Sequence, residues 1–167
     1  MMQPIIRRTW APAGETPTLV PCAKHDRWSV IGAITVAPER HRMGLYFQGF
    51  DHNIRGEDCE LFVWALHQQL RRPLLVVWDG LNAHKTAANR FAREPHRAIF
   101  ERLPAYAPQL NPVEWLWSHT KYAQLANYCP DTFDELGQRA AEGLRATRRR
   151  PDILRGFFAG AGLTLDF

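Results

Sequence analysis

The spacing of hydrophobic residues changes near residue 56, from a pattern typical of strands to one that alternates between helices and strands. Residues 27–36 are rich in β-branched side chains, and apolar positions alternate along residues 43–50, so both segments are predicted strands. Shorter extended segments are predicted at 7–12 and 18–22, with turns at 14–17 and 37–40. The first part of the chain therefore predicts an antiparallel meander.

Helical spacing begins in the next segment. Apolar residues recur at helical intervals between 57 and 70, with Gly56 before them and Pro73 after them, as helix boundaries require. Residues 74–78 form a continuous apolar run, which predicts a strand covered on both faces. Further helices are predicted at 84–93, from Asn111 or Pro112 to about 127, from an N-cap at Asp131 toward 148, and at 152–159. A short strand is predicted at 98–103.

This order of elements predicts an α/β fold with a sheet of mixed direction. A chain of 167 residues with 46% hydrophobic and 23% charged residues is expected to form a single domain over residues 1–167. No apolar run approaches the length of a membrane span, and the first residues have no signal-peptide character, so a cytoplasmic protein is expected. Cys22, Cys59 and Cys129 are far apart in the sequence and are predicted to be buried free thiols.

The charge of the chain bears on its possible binding partner. The net charge is +4 and the isoelectric point is about 9.3, which favours a polyanionic partner modestly. Four arginines crowd residues 145–150 and two more precede the strand at 74–78. They are consistent both with a nucleic-acid surface and with ordinary solvated helix ends.

Two acidic residues carry the candidate chemistry. Asp79 follows the apolar strand directly, and Glu114 lies at the start of a predicted helix, with 34 residues between them. Sites in α/β sheets form beyond the carboxyl ends of strands. Carboxylates brought together there hold the divalent ions that assist phosphoryl transfer. Each acid also has a plain structural reading, because Asp-Gly is a common turn pair and acids are favoured in a first helical turn.

The residues around these acids resemble those of a known family. The strings WDGLNAH at 78–84 and LPAYAPQLNPVE at 103–114, with Trp117 and Lys121 beyond them, resemble the catalytic core of insertion-sequence transposases of the mariner-related DDE superfamily. Residues 7–12, 14–17 and 28–33 are similar to that family as well, so the resemblance covers nearly the whole chain. The 34-residue gap matches the usual spacing in the family.

The resemblance implies an RNase H-like fold, with a mixed five-stranded sheet flanked by α-helices and a first strand that is incomplete here. Family members hold two metal ions, Mg²⁺ or Mn²⁺, with three acids. Asp79 matches the second acid and Glu114 the third, so both are expected to be catalytic metal ligands. The implied partner is DNA, both element ends and target, with a homodimer as the expected assembly and no membrane.

Other residues are expected to support this site or to contact DNA. His84 matches a residue of the loop after the second acid, and Asn82 is a polar neighbour in that loop. Asn111 matches the turn that positions the third acid. Lys121 lies seven residues after Glu114, which places it on the same face of a helix, where it is expected either to touch a phosphate or to be solvated.

The chain departs from the family at its start. The first acid of the family lies upstream of the segment that matches residues 7–10, and none of residues 1–6 is acidic. The first acid and the N-terminal helix-turn-helix region are therefore expected to be absent, through truncation, frameshift or degeneration. We expect a transposase catalytic region with impaired DNA cleavage and strand transfer. The alternative is a non-catalytic DNA-binding remnant; a host nuclease or resolvase would not explain the match around Asn111.

Overall fold

The computed structural model describes residues 6–15, 18 and 28–165 of the chain. Strands and helices follow one another along this part as β1 (Ser29–Ala37), β2 (Arg42–Phe50), α1 (Gly56–Leu70), β3 (Leu74–Trp78), α2 (Asn82–Phe91), β4 (Ala98–Arg102), α3 (Pro112–His119), α4 (Phe133–Arg148) and α5 (Pro151–Gly160). Short 3₁₀ turns occupy Pro38–Arg40 and Pro108–Leu110, and a π-helical turn at Thr120–Gln124 follows α3.

The strands pair in two directions. β1 and β2 form an antiparallel hairpin that runs in register from Ser29↔Phe50 to Ala37↔Arg42. β3 and β4 pair in parallel, from Leu74↔Ala98 to Trp78↔Arg102. The predicted α/β class of mixed direction is confirmed, and it is consistent with an RNase H-like fold. Within the described residues, however, the strands form two sheets of two rather than one sheet of five.

One hydrophobic core lies between the β1–β2 hairpin and the last three helices. Leu45 of β2, Leu116 of α3, Leu144 of α4 and Leu154 of α5 are all fully buried in it. At Gly32 in β1 there is no side chain, and the Trp117 ring of α3 fills that space: a β-carbon there would lie 2.5 Å from the ring. The C-terminal helices are therefore fastened to the hairpin.

A second core lies on one face of the β3–β4 sheet. Val63 of α1 and Phe91 of α2 pack there against alternate strand residues, namely Leu74, Val76, Trp78, Ala98 and Phe100. The opposite face carries Leu75, Val77 and Ile99, which are 67%, 54% and 55% exposed. The prediction that β3 is covered on both faces is therefore wrong, because α1 and α2 pack on the same face while α3, α4 and α5 pack on the hairpin.

Residues 7–12 do not form the predicted strand. Their backbone has no strand partner within the described residues; instead the Arg7 amide donates to Asn127 Oδ1 at 2.7 Å, and the Arg7 side chain donates to the Tyr122 carbonyl at 3.0 Å. Trp10 is 99% exposed. The segment is thus held by two polar contacts rather than by a sheet. The predicted strand at 18–22 lies outside the described residues, apart from Thr18.

The helix beginning near residue 131 has a different cap from the predicted one. Thr132, not Asp131, is the N-cap of α4, and its hydroxyl accepts from the Glu135 amide at 3.2 Å. The Glu135 carboxylate accepts a hydrogen bond from the Asp131 amide at 2.9 Å. Threonine and glutamate three residues apart satisfy two open amides at once, which explains why the cap falls one residue later.

Two predictions drawn from composition concern thiols and membranes. Cys59 is a buried free thiol and Cys129 a half-buried one, while Cys22 lies outside the described residues. None of the helices in the described part of the chain has both the length and the apolar character of a membrane span.

We expect Gly32→Ala to destabilise the protein by about 1–3 kcal/mol, because the added methyl group collides with a large, packed ring. Gly156 in α5 has open space at its β-carbon position, so Gly156→Ala is the control. It should be neutral or stabilise by up to about 1 kcal/mol through helix propensity. Urea unfolding of both variants measures the difference; equal stabilities would contradict the packing described for Trp117.

Candidate active site

Asp79 lies at the carboxyl end of β3, at the edge where the parallel strand β4 also ends. Its Oδ1 accepts a hydrogen bond from the Leu81 amide at 3.0 Å, which is the local turn that an aspartate before glycine favours. The side chain is 43% exposed. Its second oxygen, Oδ2, has no hydrogen-bond partner among the described residues. Asp79 is thus fixed through one oxygen and open through the other.

His84 fixes the same carboxylate from α2. Its Nδ1 lies 2.7 Å from Asp79 Oδ1, and its ring stacks on the Trp78 indole with centroids 4.5 Å apart and an interplanar angle of 3°. Trp78 in turn packs in the core beneath β3. The last strand residue therefore orients the histidine, and the histidine orients the acid. Nδ1 also donates a hydrogen bond to the Asp79 backbone carbonyl at 3.4 Å, so a neutral imidazole keeps Nε2 as an acceptor.

Asn82 begins α2 and lies in the same loop. Its side-chain oxygen accepts from Lys85 Nζ at 3.3 Å, and its backbone carbonyl accepts from the Thr86 hydroxyl at 3.2 Å. The side chain is therefore engaged with a lysine rather than with Asp79. The expectation that Asn82 supports the site or contacts DNA stays a prediction.

Two cationic residues beside the loop escaped the sequence reasoning. Lys85 is exposed on the first turn of α2 and is bonded to Asn82. Arg102 ends β4, and its guanidinium lies against Gly80, where a β-carbon would collide with it. Parallel strands bring their carboxyl ends to one edge, so the end of the strand predicted at 98–103 was the available clue to Arg102. Both charges favour an anion at this edge.

Glu114 projects from the first turn of α3. Asn111 is the N-cap of that helix, and its Oδ1 accepts from the Val113 amide at 3.1 Å. Pro112 occupies the first turn, where its missing amide costs nothing. The Glu114 side chain is exposed and has neither a hydrogen bond nor an ion pair with any described residue. Asn111 thus positions the helix that carries Glu114.

Lys121 lies in the π-helical turn that follows α3. It is half-buried, and no carboxylate in the described part of the chain pairs with it. Whether it touches a phosphate stays a prediction.

The α1 N-terminus lies within electrostatic reach of Asp79. Burial, together with the nearby carboxylates of Asp58 and Asp79, raises the pKa of Cys59 to about 11. This thiol stays protonated at neutral pH, and protonated thiols are poor nucleophiles and metal ligands. Cys59 is therefore a packing residue rather than a reactive group.

The donor chemistry suits a hard divalent ion. Asp79 Oδ2 and the Glu114 carboxylate are open oxygen donors, of the type that Mg²⁺ and Mn²⁺ prefer. No group of three His, Cys, Asp or Glu side chains able to hold an ion occurs among the described residues. The contacts join Asp79 to His84 and Asn111 to the helix of Glu114, but no hydrogen bond or ion pair joins these two sets. Convergence of the two acids stays a prediction.

A family model described as DDE superfamily endonuclease matches residues 2–137. The chain belongs to the DDE endonuclease superfamily. No curated protein and no solved structure is similar enough to count as a match.

Membership supports a nuclease- or transposase-type function. The DDE superfamily comprises nuclease- and transposase-type domains that act on DNA and generally use divalent metal ions. The match spans both candidate acids, Asp79 directly after β3 and Glu114 in α3.

Proposed function

We propose that this DDE chain is the catalytic region of an insertion-sequence DNA transposase, in which Asp79 and Glu114 hold Mg²⁺ or Mn²⁺. The geometry of Asp79 is the main support. Its Oδ1 is fixed by the Leu81 amide and by His84, which leaves Oδ2 directed to no other described group. A ligand held in this way loses little conformational freedom when it binds an ion.

Each residue of the site has a task in the proposed reaction. When bound, a divalent ion supplies Lewis-acid stabilisation of phosphoryl oxygens. Asp79 presents an oxygen ligand, and His84 holds the orientation of that ligand. Lys85 and Arg102 provide positive charge at the same edge, which attracts the phosphodiester backbone. Glu114 supplies the second carboxylate from the first turn of α3.

We further propose that cleavage and strand transfer are impaired in this chain. An ion held by two carboxylates would be bound more weakly than one held by three, because affinity falls with the number of charged ligands. The described residues hold no group of three metal-ligating side chains, and a non-catalytic DNA-binding remnant is the alternative function. The two proposals differ in turnover and in retained metal affinity.

Metal binding tests the ligand assignment. In calorimetric titration with Mn²⁺, we expect weak binding by the native chain and strongly reduced binding by Asp79→Ala and by Glu114→Ala, because each removes a carboxylate. Asp134 is an exposed acid in the first turn of α4, so Asp134→Ala is the matched control and should bind like the native chain. Unchanged binding in Asp79→Ala would refute the assignment.

Strand cleavage tests the impairment. We expect the native chain to cut supercoiled DNA slowly or not at all in Mn²⁺, because the ligand set is incomplete. The measurement is plasmid nicking over time on agarose gels, with Asp79→Ala as background. Fast cleavage by the native chain that disappears in Asp79→Ala would contradict impairment while supporting the metal site.

A further inference from the structure

A groove runs along the outer edge of β2, between that strand, α1 and α4. It has a volume of about 340 Å³ and is lined by Tyr46, Gln48, Phe62, Gln69, Arg145 and Arg148, among others. β2 is an outer strand, because only β1 pairs with it among the described residues. We call this feature the β2 groove. It shares no lining residue with the loops that carry Asp79 and Glu114.

The β2 groove carries positive charge that is not neutralised. Arg145 and Arg148 are exposed and lie one turn apart on α4. Residues at this spacing are neighbours on the same face of a helix. No carboxylate lines the groove, and neither arginine is ion-paired within the described part of the chain. Other arginines nearby are paired, Arg139 with Glu142 at 3.8 Å and Arg150 with Asp152 at 2.7 Å. Arg145 and Arg148 therefore leave uncompensated positive charge at the groove.

One of these guanidinium groups is already oriented. The Arg148 guanidinium lies over the Tyr46 ring, 5.4 Å from its centroid, so part of its flexibility is lost before a ligand binds. The helix dipole contributes only about half a negative charge at the C-terminus of α4. Interaction with the dipole therefore does not balance the two positive charges of Arg145 and Arg148. Gln48 and Gln69 also line the groove, and their side-chain amides can donate hydrogen bonds to a ligand.

We infer that the β2 groove is a second DNA-contact surface, which binds the phosphodiester backbone through Arg145 and Arg148. Guanidinium groups recognise phosphate oxygens through paired hydrogen bonds, and two of them one helical turn apart can contact neighbouring phosphates of one DNA strand. The choice of DNA as the ligand rests on the proposed function. The contact itself needs no metal, and so it persists whether or not Asp79 and Glu114 hold an ion.

Salt-dependent DNA binding tests this inference. The native chain and its variants are titrated with a fluorescent DNA duplex in EDTA, over salt concentrations from about 50 to 200 mM, and log K is plotted against log salt. We expect Arg145→Ala and Arg148→Ala each to reduce the slope by about 0.9, and the double variant by about 1.8. The double variant Arg145→Lys/Arg148→Lys keeps both charges and should retain the native slope.

The matched control removes two arginines elsewhere. Arg93 is exposed with no ion pair among the described residues, and Arg139 lies on α4 outside the groove, so Arg93→Ala/Arg139→Ala should leave the slope unchanged. A native slope in the Arg145→Ala/Arg148→Ala variant overturns the inference, as does equal loss in the control. Failure of the native chain to bind DNA in EDTA also overturns it, and leaves the Mn²⁺ result at Asp79 to judge the proposed function separately.

A measurement on the native chain avoids any effect of substitution on folding. Phenylglyoxal modifies exposed arginines, and peptide mass spectrometry reports the rate at each position. We expect DNA to slow modification of Arg145 and Arg148 at least several-fold while Arg93 reacts as before. Equal rates with and without DNA, or stronger protection by polyglutamate than by DNA, would overturn the assignment of a phosphodiester ligand.

Discussion

The contact between His84 Nδ1 and Asp79 Oδ1, at 2.7 Å, connects the hydrophobic core of this protein to the candidate metal ligand Asp79. Trp78 is packed beneath β3, His84 stacks on Trp78, and Asp79 is held by His84. Packing of Trp78 thus fixes the orientation of the His84 ring, and His84 fixes the orientation of the Asp79 carboxylate. A carboxylate held in this manner presents its free oxygen to a ligand at little entropic cost.

The hydrophobic residues of the fold are divided between two cores, and the edge that carries Asp79 belongs to only one of them. The β1–β2 hairpin receives α3, α4 and α5, whereas the β3–β4 pair receives α1 and α2 on one face. The two acids consequently lie on elements of different cores, Asp79 after β3 and Glu114 on α3. Any site that uses both depends on how the two cores are held against each other. The ion pair of Glu39 with Arg72 is one contact between them, and residues from the elements of both line the β2 groove.

Much of the local structure follows from short-range patterns. The hairpin and the helices were predictable because β-branched residues and helical spacing act over a few positions, and proline marked the start of α3. The reciprocal bonds of Thr132 and Glu135 that displaced the α4 cap are also local, and the Thr-x-x-Glu spacing could have revealed them.

What escaped prediction depends on which elements meet in space. The coverage of β3 could not be predicted because an apolar run does not say how many helices will pack on it. Residues 7–12 lack a strand partner, and strand propensity alone does not supply one. Lys85 and Arg102 reach the Asp79 loop through the α2 turn and the parallel pairing of β4, so the sequence alone gave them no particular prominence. The two acids could be singled out as candidates because Asp79 directly follows a recognisable strand and Glu114 lies at the start of a recognisable helix.

We propose that the carboxylates of Asp79 and Glu114 hold the same ion. Paramagnetic Mn²⁺ broadens the NMR signals of amides near its binding site, so a titration of the ¹⁵N-labelled chain reports on both loops at once. We expect the Leu81 and Val113 amides to broaden together at the same Mn²⁺ concentrations, and Asp79→Ala to abolish both effects. Broadening of Leu81 while Val113 stays sharp, or persistence of either effect in Asp79→Ala, would contradict a shared ion.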